Sequence, residues 1–257
     1  MPYTRSGDVS IYYEVHGSGP AITLVHGSGG HHAAWWQQVP YLSQHYTVVL
    51  PDLRGFGLSD PVEGGPDSQE FVHDLLAVID AAGIEKSVFL GQSIGALPGL
   101  RLALTHPDRV AGVVLAHSLG GISDPEIKER QLANRAEAEK LPVIDRLLTK
   151  GFQEGNREMT WLFREQGTFN NARMQDLRNL NAQGPTCAEI DATGVPIHFL
   201  AGGKDAVLWP ETVKLAASKL RNATVSIVPD GPHSMYWEEP RVFNNEVHKF
   251  LVEVYGQ

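Results

Sequence analysis

Cysteine is nearly absent: this chain of 257 residues carries one, Cys187. No disulfide can close within it, which fits a reducing compartment. An excess of positive charge is absent too. Lys and Arg number 21 against 30 Asp and Glu, a formal net charge of -9. Nucleic acid and anionic membrane surfaces repel such a chain, so neither is an expected partner. No apolar run is long enough to span a bilayer, and Met1 to Arg5 has none of the apolar core of a signal peptide. A cytoplasmic location is the expectation. No repeat recurs at a fixed period, and no segment has low complexity. Metal-site spacing of Cys and His is missing as well. The adjacent pair His31-His32 comes nearest to it but has no matching ligands.

What is present is an ordinary globular composition, 42% hydrophobic and 20% charged. The length suits one large α/β domain with an insertion. Strand-like runs occupy 9–16, 21–25, 46–50, 87–90, 110–116, 196–201 and 224–228. Helical spacing occupies 33–43, 69–82, 96–105, 210–220 and 240–254. In 69–82 the apolar residues Phe71, Leu75, Val78 and Ile79 share one face. Continuous apolar strands separated by helices predict a mostly parallel sheet, buried on both faces. The alternation stops after Ser118. Residues 120–192 are charged and helical in character, clearest over 126–141, with Trp161, Phe163 and Phe169 recurring inside them. An insertion carrying aromatics on one side predicts a cap over the active-site end of the sheet. The expected organisation is core 1–119, helical cap 120–192 and core 193–257. The competing reading is a helical extension that only adds stability.

Chemistry concentrates at Gly91-Gln92-Ser93-Ile94-Gly95, between a predicted strand and a predicted helix. Glycines on both sides permit a very sharp turn that projects the serine hydroxyl from the end of the sheet. Serine is a poor nucleophile until a base takes its proton and an acid holds that base. Open α/β sheets gather such groups at the C-terminal ends of strands. The loop after 196–201 supplies Gly203-Lys204-Asp205, and the loop after 224–228 supplies Pro229-Asp230-Gly231-Pro232-His233-Ser234. Rivals exist for each position. Ala116-His117-Ser118-Leu119-Gly120 is a second motif-like serine. Asp124 is a rival acid. Asp191 lies at the wrong end of its strand, and Asp230 is close enough to His233 to serve the turn. Asp52 and Arg54 read as a structural loop pair.

These pieces resemble the α/β-hydrolase fold superfamily, over nearly the whole chain outside the insertion. The matching stretches are His26-Gly27-Ser28-Gly29-Gly30, Pro51-Asp52-Leu53-Arg54-Gly55-Phe56-Gly57-Leu58-Ser59, Gly91 to Gly95, Gly203-Lys204-Asp205, and His233-Ser234 with Glu238 and Pro240. The resemblance implies an α/β-hydrolase fold with a helical cap. It implies that Ser93 is the nucleophile, His233 the base and then the acid, and Asp205 the orienting acid. It further implies an oxyanion hole from the backbone N–H groups of Ser28 and Ile94. His31, Trp35, Ser118 and Trp161 are the candidate pocket residues. No cofactor and no metal is required. The implied partner is a small or medium carboxylic ester or lactone. A C–C bond hydrolase of ring-cleavage products is the second reading, although His31 and Ser234 depart from that group's pattern. Enol-lactonases, perhydrolases and related oxygenases share the scaffold. A ligand receptor that turns over slowly, if at all, is the reading from another class. An aspartate in place of Ser93 would have pointed to epoxide hydrolases or haloalkane dehalogenases; serine argues against both.

Overall fold

The computed structural model describes residues 2–180, 182 and 184–256. Its frame is an eight-stranded sheet of β1 (Tyr3–Ser6), β2 (Val9–His16), β3 (Ala21–Val25), β4 (Thr47–Pro51), β5 (Ser87–Gln92), β6 (Val110–Ala116), β7 (Ile197–Gly202) and β8 (Ala223–Val228). The order is β1-β2-β4-β3-β5-β6-β7-β8. β1 and β2 run antiparallel; all pairs from β4 to β8 are parallel.

Adjacent residues of the central strands face opposite layers, as the pleat requires. Phe89, Val113 and Phe199 join one core with Leu75, Leu100 and Val213, from helices Phe71–Ala81, Ala96–Thr105 and Pro210–Ser218. Leu90, Val114 and Leu200 join the other with Phe243, Val247 and Leu251 of helix Pro240–Tyr255. Burial on both faces explains why β3 and β6 read as mostly apolar runs.

The chain lays β4 on one side of β3 and then crosses to place β5 on the other. This is a point where strand order reverses, and it opens a crevice at the C-terminal strand ends. The loops after β3 and β5 flank that crevice.

Three departures from the sequence reading have local causes. The predicted helix 33–43 is a 3-10 turn, His32–Trp35, followed by a short helix, Val39–Leu42. Pro40 has no N–H and constrains the residue before it, so one continuous helix cannot form. β1 has only four residues and is largely exposed, so no buried face marks it. A short helix, Met235–Glu238, follows the His233 loop unannounced. Between β6 and β7 lie helices Pro125–Ala138, Val143–Leu147, Lys150–Gly155, Arg157–Gln166 and Cys187–Thr193. That segment holds no strand among the described residues, apart from an isolated bridge between Arg178 and Asp67. No described helix is long and apolar enough to cross a membrane.

Candidate active site

Ser93 leaves β5 with φ 54°, in the left-handed region that side chains rarely adopt. The turn is sharp because its glycines allow backbone to pass over backbone. A Cβ on Gly91 would collide with the Gly95 carbonyl and Ala96, and one on Gly95 with the carbonyls of Val25 and His26. The same two glycines therefore set the turn against the end of β3. Ile94 is the second residue of a 3-10 turn, where N–H groups have no acceptor within the helix.

Asp205 and His233 meet across two loops packed backbone to backbone. Lys204 N–H donates to the Gly231 carbonyl at 3.0 Å, and Gly203 N–H to that of Val228 at 2.8 Å. Side chains on Gly202 or Gly203 would strike Gly231 and Pro229. The His233 Nδ1–H lies 2.9 and 3.0 Å from the two carboxylate oxygens of Asp205. Both residues are 4% exposed. The N–H groups of Val207 and Leu208 also donate to Asp205, at 2.8 and 2.9 Å. Burial pushes this carboxyl up, but the charge of His233 and hydrogen bonds from His117 and His233 outweigh it. Asp205 is held well below the usual carboxylate range. A carboxylate that only accepts fixes the tautomer of His233: Nδ1 carries the proton, leaving Nε2 as the basic nitrogen. The Gln92 amide donates to the His233 carbonyl at 3.3 Å, tying the Ser93 turn to the same loop. Among the described residues no hydrogen bond joins the Ser93 hydroxyl to His233 itself.

The sequence reading missed His117. Its Nδ1–H donates to Asp205 at 3.0 Å, and its side chain is fully buried. The available signal was position: His117 directly follows β6, as Ser93 directly follows β5.

The loop after β3 is braced from below. Leu53 N–H donates to His26 Nε2 at 3.0 Å, so His26 Nδ1 bears the proton and donates to the Gly27 carbonyl at 2.8 Å. Burial pushes His26 down to about 4. Asp52 and Arg54 do not pair with each other. Asp52 accepts from His32 Nδ1 at 2.9 Å and from the N–H groups of His32 and Leu58. Arg54 forms a two-pronged bond with Asp74, at 2.6 and 2.8 Å. Partners about twenty residues away displaced the sequence neighbour.

The other candidates scatter. Trp35 is 1% exposed and packs in the core against Tyr236 and Phe243. Trp161 is 63% exposed. The Ser118 hydroxyl accepts from Gly120 N–H at 3.2 Å, a local turn contact. Asp124 caps helix Pro125–Ala138 and pairs with Lys219. Asp191 pairs with Arg221, and Asp230 with Lys204. His31 stands beside Phe169, ring centres 6.2 Å apart. Ala33 N–H donates to its Nδ1, so Nε2 carries a buried N–H with no partner among the described residues.

Several hydrogen bonds join the helical segment to the loops around the site. Asn170 donates to the Gly30 carbonyl at 3.1 Å and accepts from Gly57 N–H at 2.9 Å. Ser234 N–H donates to the Leu147 carbonyl at 3.0 Å. Glu238 accepts from the Thr149 N–H at 2.9 Å and from its hydroxyl. An open cleft of about 510 Å³ lies at Pro61 to Gly65 and residues 171–178. It is lined by none of Ser93, Asp205 and His233.

Comparison with known proteins follows the same outline. A family profile described as alpha/beta hydrolase fold matches residues 20–240. A putative carbamate hydrolase RutD of Azorhizobium caulinodans is 38% identical over 117 residues, which span 46% of this chain and 44% of that protein. The 3-oxoadipate enol-lactonase 2 of Acinetobacter baylyi is 24% identical over 261 residues, 95% of this chain and 94% of that one. The solved structure of a thermophilic esterase from Thermogutta terrifontis superposes with a TM-score of 0.79 at 24% identity, covering 96% of this chain and 94% of that one. At that identity the likeness is one of fold.

Proposed function

The chain belongs to the α/β-hydrolase fold family, and from that premise we propose that it is a serine hydrolase of small or medium carboxylic esters or lactones. Ser93 attacks the acyl carbon as His233 Nε2 takes its proton. The N–H groups of Ser28 and Ile94 hold the oxyanion. His233 then gives the proton to the departing oxygen, leaving an acyl-enzyme. Water, deprotonated by His233, attacks the acyl carbon, and His233 returns that proton to Ser93 Oγ as the bond to the acyl carbon breaks and the acid is released. Asp205 holds the His233 tautomer throughout. The helical segment between β6 and β7 serves as the cap.

The observation that carries this reading is the convergence of strand ends. β5 delivers Ser93 on a strained turn, and β7 and β8 deliver Asp205 and His233 already hydrogen-bonded. The activities of the relatives give further support. A carbamate, an enol-lactone and an ester all present an acyl carbon bonded to a departing heteroatom.

The test is hydrolysis of a panel of p-nitrophenyl esters, simple lactones and a vinylogous diketo acid by the wild type and Ser93→Ala. Ester or lactone turnover is expected, with a loss on the order of 10⁴-fold or more in the variant. A fluorophosphonate probe should label the wild type at Ser93 alone. Preference for the diketo acid would replace this reading with C–C cleavage. Tight binding of panel members without turnover would replace it with a receptor.

A further inference from the structure

We propose that His117 is a positioning residue: it shares the Asp205 carboxylate with His233 and limits how firmly that carboxylate holds the proton-bearing imidazole. The inference rests on reading Asp205 and His233 as orienting acid and base.

Position comes first. β5, β6, β7 and β8 are successive neighbours in the sheet. Their C-terminal ends deliver Ser93, His117, Asp205 and His233. The strand between the nucleophile and the acid thus contributes a residue of its own. His117 has φ 53°, one of the few non-glycine residues in the left-handed region, and Ser93 is another. Such a backbone costs free energy and persists where its surroundings fix it. Here the His117 N–H is held by the Leu200 carbonyl at 2.7 Å.

Asp205 Oδ2 therefore receives two imidazole N–H groups, from His233 at 2.9 Å and from His117 at 3.0 Å. The rings stand edge to face, centroids 5.7 Å apart. Burial pushes His117 down against the pull of Asp205, so the ring is neutral. Its proton sits on Nδ1. Its Nε2 is a bare acceptor, buried and without a partner among the described residues. The titratable groups with the largest effect on Asp205 are His233 and His117, and those acting on His117 are Asp205 and His233. The N–H groups of Val207 and Leu208 also donate to Asp205.

A neutral donor on an ionised carboxylate stabilises the anion and disperses its charge. The imidazolium formed at residue 233 then gains less from Asp205 than it would from an unshared carboxylate. Removing the His117 N–H concentrates that charge on His233. The ring then keeps its proton to higher pH, and the acid limb of activity moves upward.

Two substitutions separate this from simple packing. His117→Asn places an amide N–H where Nδ1 stood and tolerates a left-handed backbone. His117→Phe keeps a ring and removes the donor. His117→Gly, which removes the donor without backbone conflict, stands in if the Phe variant does not fold. The pH dependence of kcat/KM is measured with a p-nitrophenyl ester. Resting proteins labelled with ¹⁵N-histidine are followed by NMR without substrate. The wild type should show two low-field imidazole protons directed at Asp205, and the variants one. The acid limb, and the NMR titration of His233, should rise by about half to one pH unit in the donor-free variant. The Asn variant should keep the wild-type limb. A lowered melting temperature with an unmoved limb and titration would mean packing alone and overturn the proposal. So would a single low-field imidazole proton in the wild type. If the wild type turns over no substrate, the hydrolase reading fails, and the NMR arm still decides the role of His117.

Discussion

Asp205 collects its donors from three separate loops, whereas each rival acid is occupied elsewhere. Asp124 caps a helix and faces Lys219; Asp191 faces Arg221. This division predicts opposite phenotypes. Asp205→Asn presents an amide to donors that need an anion, so His233 loses its tautomer restraint. The expected loss is on the order of 10⁴-fold in kcat, with the fold retained. Asp124→Ala should leave kcat unchanged and cost about 1 kcal/mol of stability through the lost cap. Ester kinetics and urea unfolding of both variants decide, and the reverse pattern would move the acid to Asp124. At this scale the candidate residues stood out because Ser93, Asp205 and His233 each follow a recognisable strand. The hydrogen-bond partners were not. Arg54 finds Asp74 and Asp52 finds His32 through folding, and nothing in the intervening residues announces either pair.

Elements buried on both faces were the most legible. β3, β6 and the helix Ala96–Thr105 coincide with the sequence reading because most of their residues are buried, which keeps their apolar patterns clear. β1 and the 33–43 segment were not, since one is too short and exposed and the other is broken by Pro40. The segment between β6 and β7 was read as helical, but its attachments were invisible, because they join groups far apart in the chain. Asn170 bridges the loop after β3 and the loop at Gly57 through two hydrogen bonds. Removing its amide leaves a carbonyl and an N–H unpaired, at a cost of about 1–3 kcal/mol if both stay dry. Asn170→Ala should accelerate hydrogen exchange in 167–172 and raise KM, with much less effect on kcat. Unchanged exchange there would show that other contacts, such as Glu238 with Thr149, carry the attachment alone.

For the molecule as a whole, buried histidines dominate the response to acid. Burial pushes both His26 and His198 down to about 4, one in the loop after β3 and the other on β7 against Phe250. In the unfolded chain each returns to its ordinary value near 6.5. Between those values the unfolded state binds protons that the folded state refuses, so stability falls as pH falls. Each histidine withdraws about 3 kcal/mol by the time pH reaches the lower value, and two titrating together give about 2.7 kcal/mol per pH unit in mid-window. Asp52 and Asp205, held below the carboxylate range, add stability that is lost only at lower pH still. His32 acts in the opposite sense. Burial pushes it down, but Asp52 more than compensates and raises it, so its contribution is complete below 6.5 and lost as pH rises through its folded value. Urea unfolding from pH 8 to 4 should therefore show a steep loss between 6.5 and 4. His198→Leu removes one of these titrations, that of a ring that stacks on Phe250, with an Nε2 that has no partner among the described residues. Its stability curve should be shallower by about one proton across the window. An unaltered slope in that variant, or wild-type stability that climbs on acidification from 6.5, would show that these two rings do not govern the acid limb of folding.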